Sequence, residues 1–174
     1  MQRIVVIGNA GSGKTTVAAR LATNRRLTHV ELDALFHQAG WTTLPDDAFR
    51  DAVDRALPAD GRWVADGNYR KARDIAWARA DTIVWLDLPR RVVTVRIVRR
   101  TVRRTELWNG NRERVRNLVS LNPQQSVIAW SIRQHGVYRR EYAAIPRDPR
   151  WAHASFVRLT SPAAVEQWLF TATD

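Results

Sequence analysis

The chain has 174 residues, 28 of them Lys or Arg against 17 Asp or Glu, giving a net charge of +11, and it contains no cysteine. A chain of this size makes one domain, here residues 1–174, with room for a buried core, and the lack of cysteine excludes disulfides, thiolate catalysis and thiolate metal sites. No apolar run approaches the ~18 residues a membrane span needs, so a cytoplasmic protein with no membrane role is expected.

Ile4 to Ile7 is a β-branched run that reads as a buried strand, and Val17, Ala18, Leu21 and Ala22 recur after it at helical spacing. Between them, Gly8-Asn9-Ala10-Gly11-Ser12-Gly13-Lys14-Thr15 matches the phosphate-binding pattern G-x-x-x-x-G-K-[ST], in the strand-turn-helix context that gives the pattern its meaning. Glycines let successive backbone N–H groups point at phosphate oxygens, and the start of the helix adds the positive end of its dipole. Gly8, Gly11, Ser12, Gly13 and Thr16 are therefore candidates to cradle the phosphates of a ligand. Lys14 would reach the outer phosphates as a catalytic cation, and the Thr15 hydroxyl would ligate Mg2+. The alternative is a glycine-rich turn that only caps a helix.

Thr28 to Leu32 reads as a second strand, and alternation along it puts Glu31 and Asp33 on one side at its carboxyl end. Either could bind a phosphate acceptor and take the proton of its hydroxyl, or hold Mg2+ through water. Asp33 is favoured because it lies at the very edge. It could instead be the N-cap of the Asp33-Ala34-Leu35-Phe36 turn. Phe36, His37 and Trp41 either line an acceptor pocket or pack under a loop. A helix is expected over 46–57, after Pro45, and a third strand over 62–66.

That third strand ends at Asp66, followed by Gly67-Asn68-Tyr69-Arg70. An apolar strand closing on an aspartate beside a phosphate loop is where a Walker B carboxylate for Mg2+ belongs. Gly67 would admit substrate closely and Arg70 would clasp a phosphate, the alternative being a strand-ending turn with a capping aspartate. A short helix over 72–80, a fourth strand over 81–89 closed by Pro89, and a long helix over 90–104 follow.

On the long helix Arg96, Arg99, Arg100, Arg103 and Arg104 share one face, while Val95, Val98 and Val102 gather on another, read as the packing face. Any of Arg99, Arg100, Arg103 and Arg104 could meet the transferring phosphate, with Arg112 behind them; Arg100 and Arg104 are the catalytic candidates, and Arg99 and Arg103 the candidates to contact the nucleotide. Residues 105–123, with Asn109-Gly110 in the middle and Arg112, Arg114 and Arg116 beyond, read as an arginine-rich lid closing on bound substrate. A helix over 126–142, a fifth strand over 154–159 and a closing helix over 161–169, with Ser161 as N-cap and Pro162 in the first turn, complete the chain.

Charge is concentrated as well as high. Between Arg90 and Arg150 fifteen arginines face only Glu106, Glu113, Glu141 and Asp148, while the remainder is neutral, and 26 of the 28 basic residues are arginine. Guanidinium forks grip phosphate bidentately, so a polyphosphate ligand or a nucleic acid is implied. A solvated basic face would look the same.

Strands alternating with helices imply an α/β fold with a parallel sheet wrapped by helices, and ligands at the carboxyl ends of its strands. The order GNAGSGKT, ELD, WVADGNYR, DTIVWLDLPRRVVTVRIVRR, FVRLTSPAAVEQWL resembles the adenylate-kinase-like branch of P-loop kinases over nearly the whole chain. Asp66-Gly67-Asn68-Tyr69-Arg70 stands where adenylate kinases carry Asp-Gly-Phe-Pro-Arg, whose arginine holds the acceptor nucleotide's phosphate, with Asn68-Tyr69 replacing Phe-Pro. Thr160-Ser161-Pro162 resembles the loop that wraps adenine. Glu31 and Asp33 are more like the aspartate pair of shikimate and gluconate kinases. The DGNY and ELWNGNRE stretches are similar to small bacterial proteins of the FlaR-like group, labelled adenylate kinase or DNA topology modulation protein.

The resemblance implies a P-loop NTPase fold, three layers α/β/α on a five-stranded parallel sheet of order 2-3-1-4-5 with a small arginine-rich lid. It also implies transfer of the γ-phosphate of Mg-ATP to a small acceptor, expected to be a nucleotide. A nucleic-acid-associated ATPase or regulator is the second expectation, with Trp108, Trp130, Tyr138 and Tyr142 as stacking surfaces for bases. A non-catalytic nucleotide switch is the third, disfavoured by the complete set of Lys14, Thr15 and Asp66. Nothing in the sequence bears on oligomeric state.

Overall fold

A computed structural model describes residues 1–103, 108–111 and 126–172. Five strands, β1 (Arg3–Gly8), β2 (Thr28–Glu31), β3 (Trp63–Asp66), β4 (Thr82–Leu86) and β5 (Ser155–Leu159), form one sheet of order β2-β3-β1-β4-β5. Every pairing is parallel, and the order is the one the resemblance implies. A parallel sheet is covered on both faces, so its strands are apolar at nearly every position. Ile4 and Val6 accordingly point to one side and Val5 and Ile7 to the other, all four fully buried.

Helices α1 (Lys14–Arg25), α2 (Leu32–Phe36), α3 (Asp46–Ala56), α4 (Arg73–Arg79), α5 (Arg90–Val102), α6 (Val127–Ala143) and α7 (Pro162–Thr171) supply the two outer layers. On one side Val5, Ile7, Trp63 and Trp85 pack with Phe49 and Val53 of α3, Trp77 of α4, and Tyr138 and Tyr142 of α6. On the other, Ile4, Val6, Val64 and Val84 pack with Val17 and Leu21 of α1, Val93 of α5, and Val165 and Leu169 of α7. Ser126 and Ser161 cap α6 and α7, each Oγ accepting from the backbone N–H three residues on.

Two expectations about these elements are corrected. β2 stops at Glu31, and Asp33 lies inside the first turn of α2, whose N-cap is Glu31. Asp33 is neither the last strand residue nor the cap. On α5 the buried face is Val93, Ile97 and Thr101, whereas Val95 and Val102 are 59% exposed and Val98 is 37% exposed. Thr101 tolerates burial because its hydroxyl donates to the Ile97 carbonyl at 3.1 Å.

Of the expected lid, residues 108–111 are described. Arg104, Arg112, Arg114 and Arg116 lie outside the described residues. Among those described, no helix is long and apolar enough to cross a membrane.

Candidate functional site: a glycine loop and the carboxylates at the strand ends

The register aligns the strand ends: Val6 and Glu31 both pair with Asp66, and Gly8 pairs with Leu86. Between β1 and α1 the backbone turns through left-handed conformations at Gly11 (φ 76°) and Gly13 (φ 93°). A Cβ on Gly11 would lie 2.6 Å from the Val93 carbonyl oxygen, so α5 rests directly on the loop. The loop is pinned elsewhere too. The Asn9 amide donates to both the carbonyl and the hydroxyl of Ser131 at 2.8 Å, and an Arg96 guanidinium N–H donates to the Ser12 carbonyl at 2.8 Å. Among the described residues Ser12 Oγ is buried without a hydrogen-bond partner, and Lys14 Nζ makes a long contact, 3.4 Å to the Asn9 carbonyl. A rigid turn holding an unsatisfied hydroxyl and a loosely held ammonium suits phosphate oxygens.

Beneath the loop, the Thr15 hydroxyl donates to Asp66 Oδ1 at 3.1 Å, and His29 Nε2 donates to Asp66 Oδ2 at 2.8 Å. Asp66 is 1% exposed, so these two donors are what make its burial tolerable. The hydrogen bond to Asp66 raises the His29 imidazole above its ordinary value, against burial, which lowers it. Among the described residues no three His, Asp or Glu side chains converge into a metal cage. Thr15 and Asp66 nevertheless fit Mg2+, an ion that keeps several waters and takes substrate phosphate oxygens as ligands.

Asp33 lies in the first turn of α2, just beyond the carboxyl end of β2. The Tyr69 hydroxyl donates to Asp33 Oδ1 at 2.5 Å, and the Tyr69 ring packs on Phe36 and Phe49. Glu31 Oε2 accepts from Trp108 Nε1 at 2.8 Å, and Trp108 stacks on His37. Asn109 donates to the Ala34 carbonyl at 3.1 Å and the His37 carbonyl at 2.5 Å. Asn111 bridges the Gln38 carbonyl and the Trp41 N–H, each at 2.9 Å. Residues 108–111 thereby strap the stretch from Glu31 to Trp41. Burial holds the His37 imidazole below its ordinary value.

No protein-family model and no curated protein matches the chain. Solved structures do. A gluconokinase from Sinorhizobium meliloti superposes with a TM-score of 0.54 at 20% identity, over 99% of this chain and 89% of its own. A shikimate kinase from Bacteroides thetaiotaomicron gives 0.55 at 15% identity, over 98% and 95%. A sugar kinase from Janibacter gives 0.51 at 18% identity, over 99% and 90%. The chain has the P-loop kinase fold.

On this P-loop kinase fold the expected residues fall into three groups. Gly8, Gly11, Ser12, Gly13, Lys14, Thr15 and Thr16 lie in the loop and the first turn of α1, and Asp66 is in contact with Thr15. Glu31, Asp33, Gly67 and Arg70 gather at the ends of β2 and β3. Their contacts redefine two of them. A Cβ on Gly67 would meet Leu32 Cβ at 2.8 Å, so this glycine serves the packing of its turn against α2. Arg70 is held by Glu141, at 2.5 Å and 3.2 Å, and Arg73 reaches the same carboxylate at 2.6 Å. Finally, Arg99 on α5 and Arg103 at its C-cap are exposed, Arg100 is half-buried, and Ser161 Oγ is engaged in its cap.

Two of the four rings expected to stack on bases are buried. Tyr138 and Tyr142 are 8% and 0% exposed and lie parallel to each other, centroids 5.1 Å apart, with Trp130 against Tyr138. They are core side chains, because α6 turns its aromatic face to the sheet.

Four residues escaped the sequence reading. The alternation that puts Glu31 at the site puts His29 there too, but a histidine on a strand carries no motif. Arg96 belongs to the recognised arginine face, yet nothing marks it as the member that touches the loop. Asn68 and Tyr69 were visible as a departure from Phe-Pro without a role attached.

Proposed function

We propose that this chain is an ATP-dependent small-molecule kinase that moves the γ-phosphate of Mg-ATP to a hydroxyl of a small acceptor. The observation that carries the reading is the Thr15–Asp66 contact beside a glycine loop, with the Asp33 carboxylate just beyond the end of β2, the strand next to β3. Loop N–H groups and Lys14 bind the triphosphate, and Arg96 holds the loop carbonyl that would otherwise face it. Thr15 and Asp66 would hold Mg2+, whose chemistry is to neutralise charge on the β- and γ-phosphates. Both Asp66 oxygens already accept hydrogen bonds, one from Thr15 and one from His29.

The acceptor oxygen forms its bond to the γ-phosphorus as the bond to the bridging oxygen of ADP breaks. Asp33 orients that hydroxyl and accepts its proton. Arginines of α5 supply cations near the nucleotide, Arg99, Arg100 and Arg103 among them, with Arg104 the further candidate from sequence. A nucleotide acceptor, expected from sequence, would place its phosphate on Arg70, and would have to draw Arg70 away from Glu141. Acceptors without phosphate, such as gluconate or shikimate, make no such demand.

The test is ADP release from Mg-ATP with nucleoside monophosphates, nucleosides, D-gluconate, shikimate and other sugars, with Lys14→Ala as the inactive control. Stimulation by at least one small acceptor, lost in Lys14→Ala, is the expected result. Stimulation by DNA or RNA and by no small acceptor would replace this reading with the nucleic-acid ATPase.

A further inference from the structure

The turn after β3 touches both halves of the site. The Asn68 side chain pairs with both main-chain groups of Gly8 at the head of the phosphate loop, donating to its carbonyl at 2.6 Å and accepting from its N–H at 3.2 Å. One residue later, the Tyr69 hydroxyl donates to Asp33 Oδ1 at 2.5 Å. The Tyr69 ring is wedged against Phe36 and Phe49, centroids 5.0 Å and 4.8 Å away, which leaves its hydroxyl little freedom. Burial, and then the Asp33 carboxylate, push the phenol far above its ordinary value, so it stays a donor wherever the protein is folded. Asp33 Oδ2 meets no donor among the described residues. An ionised carboxylate accepts at both oxygens. One is therefore fixed by tyrosine and the other is available to a substrate hydroxyl.

We propose that Tyr69 is a positioning residue that holds the Asp33 carboxylate in register with the phosphate loop, the register being set by Asn68 on Gly8. The inference rests on the kinase reading of Asp33. Phenylalanine would fill the same aromatic box, so packing alone has no use for the hydroxyl. His37, the C-cap of α2, lies near enough to feel the Asp33 charge, but among the described residues Tyr69 is the side chain that donates to this carboxylate. A carboxylate released from this contact samples several rotamers, and a misplaced catalytic group lowers turnover without weakening nucleotide binding.

The experiment compares the whole chain with Tyr69→Phe, Asp33→Asn and the double variant. ADP release is followed with AMP, D-gluconate, shikimate or water alone as acceptor, using whichever is fastest. The affinity for Mg-ATP and the melting temperature are measured on the same proteins. Tyr69→Phe is expected to lower kcat about 10- to 100-fold, the worth of a charge-assisted hydrogen bond, with Mg-ATP affinity unchanged and melting lowered by a few degrees at most. The double variant should be no slower than Asp33→Asn, because Tyr69 acts through Asp33. Full turnover in Tyr69→Phe alongside a crippled Asp33→Asn overturns the proposal, as does a double variant in which the two losses multiply. Full turnover in Asp33→Asn is a different failure: it removes Asp33 from the chemistry, and the role of Tyr69 goes with it.

Discussion

Gly11→Ala tests whether α5 and the phosphate loop are as tightly joined as their geometry implies. Gly11 sits at φ 76°, and an added Cβ would lie 2.6 Å from the Val93 carbonyl oxygen and 2.7 Å from Ile97 Cγ1, both on α5. Gly40 is a control within the same molecule: its φ is 70°, and a Cβ there meets nothing within 4 Å. A non-glycine residue in the left-handed region costs about 1–2 kcal/mol at either position. Overpacking against a backbone carbonyl that cannot rotate away adds about 1–3 kcal/mol at Gly11 alone. For a domain of this size each kcal/mol shifts melting by about 2–4 °C, so Gly11→Ala should melt about 10 °C lower than the parent and Gly40→Ala about 4 °C lower. The assay is thermal unfolding of the two variants side by side, followed by titration with Mg-ATP. Because relief of the clash must push α5 and Arg96 outward, Gly11→Ala should lose nucleotide affinity and Gly40→Ala should keep it. Equal shifts in the two variants, or undiminished Mg-ATP binding in Gly11→Ala, would refute the reasoning.

Arg96→Met keeps the stem of the side chain and removes the donor on the Ser12 carbonyl. It should weaken Mg-ATP binding about tenfold by calorimetric titration, with little change in melting. Glu141 gives a pH prediction: burial alone would raise it, but its bonds to Arg70 and Arg73 prevail and hold it below the usual carboxylate range. A group whose folded value is depressed contributes stability above its unfolded value, here 4.5, and loses that contribution as pH falls through the folded value. Glu141→Gln should therefore melt below the parent at pH 7, with the gap closing as the buffer is taken below pH 4.5; a constant gap would contradict the assignment. Salt separates the two ligand classes that the arginine excess allows. A nucleic acid gripped through Z phosphates loses affinity with a log–log slope of about −0.9Z, whereas Mg-ATP held by loop N–H groups should show a much shallower dependence, measured between 50 and 300 mM salt, values chosen on the order of the Debye-screening range.

The sheet and the phosphate loop were legible in sequence because each is written in consecutive residues. Four β-branched residues make β1, and eight further positions make the turn that defines the site. Asp66 was legible for a similar reason, as the last residue of an apolar run. Partners across elements were not. His29 reaches Asp66 over 37 positions and Asn9 reaches Ser131 over 122, and no local pattern encodes either distance. The valines of α5 show the limit of periodicity itself. Val95-Val98-Val102 and Val93-Ile97-Thr101 both follow helical spacing, and the sheet core together with Gly11 decides which set is covered. At Asp33 the difficulty was a boundary: a residue two positions beyond Glu31 faces the same way only if the strand continues, and the chain turns into a helix instead.

The charge count also means less than it first suggests. Asp87, just past β4, has a side chain only 3% exposed and binds Arg139 of α6 at 3.1 Å and Arg158 of β5 at 2.5 Å. Arg158 also lies over the Trp85 ring, 4.6 Å from its centroid. These guanidinium groups fasten α6 and β5 to the end of β4, and removing Asp87 would leave two cations facing an apolar strand. Arg150 is likewise taken by Asp148, and Arg96 by the loop. Part of the arginine excess is thus spent on architecture, and a +11 chain does not by itself require a polyanion the length of a nucleic acid. A triphosphate needs only a few well-placed cations, because loop N–H groups and Mg2+ carry much of its charge. The Arg96 contact puts one such cation at the phosphate loop, and the buried Tyr138 and Tyr142 take away two of the rings a single strand would stack on. Electrostatics and packing therefore favour the same ligand, a nucleotide seated in the loop, over one spread along the basic helices.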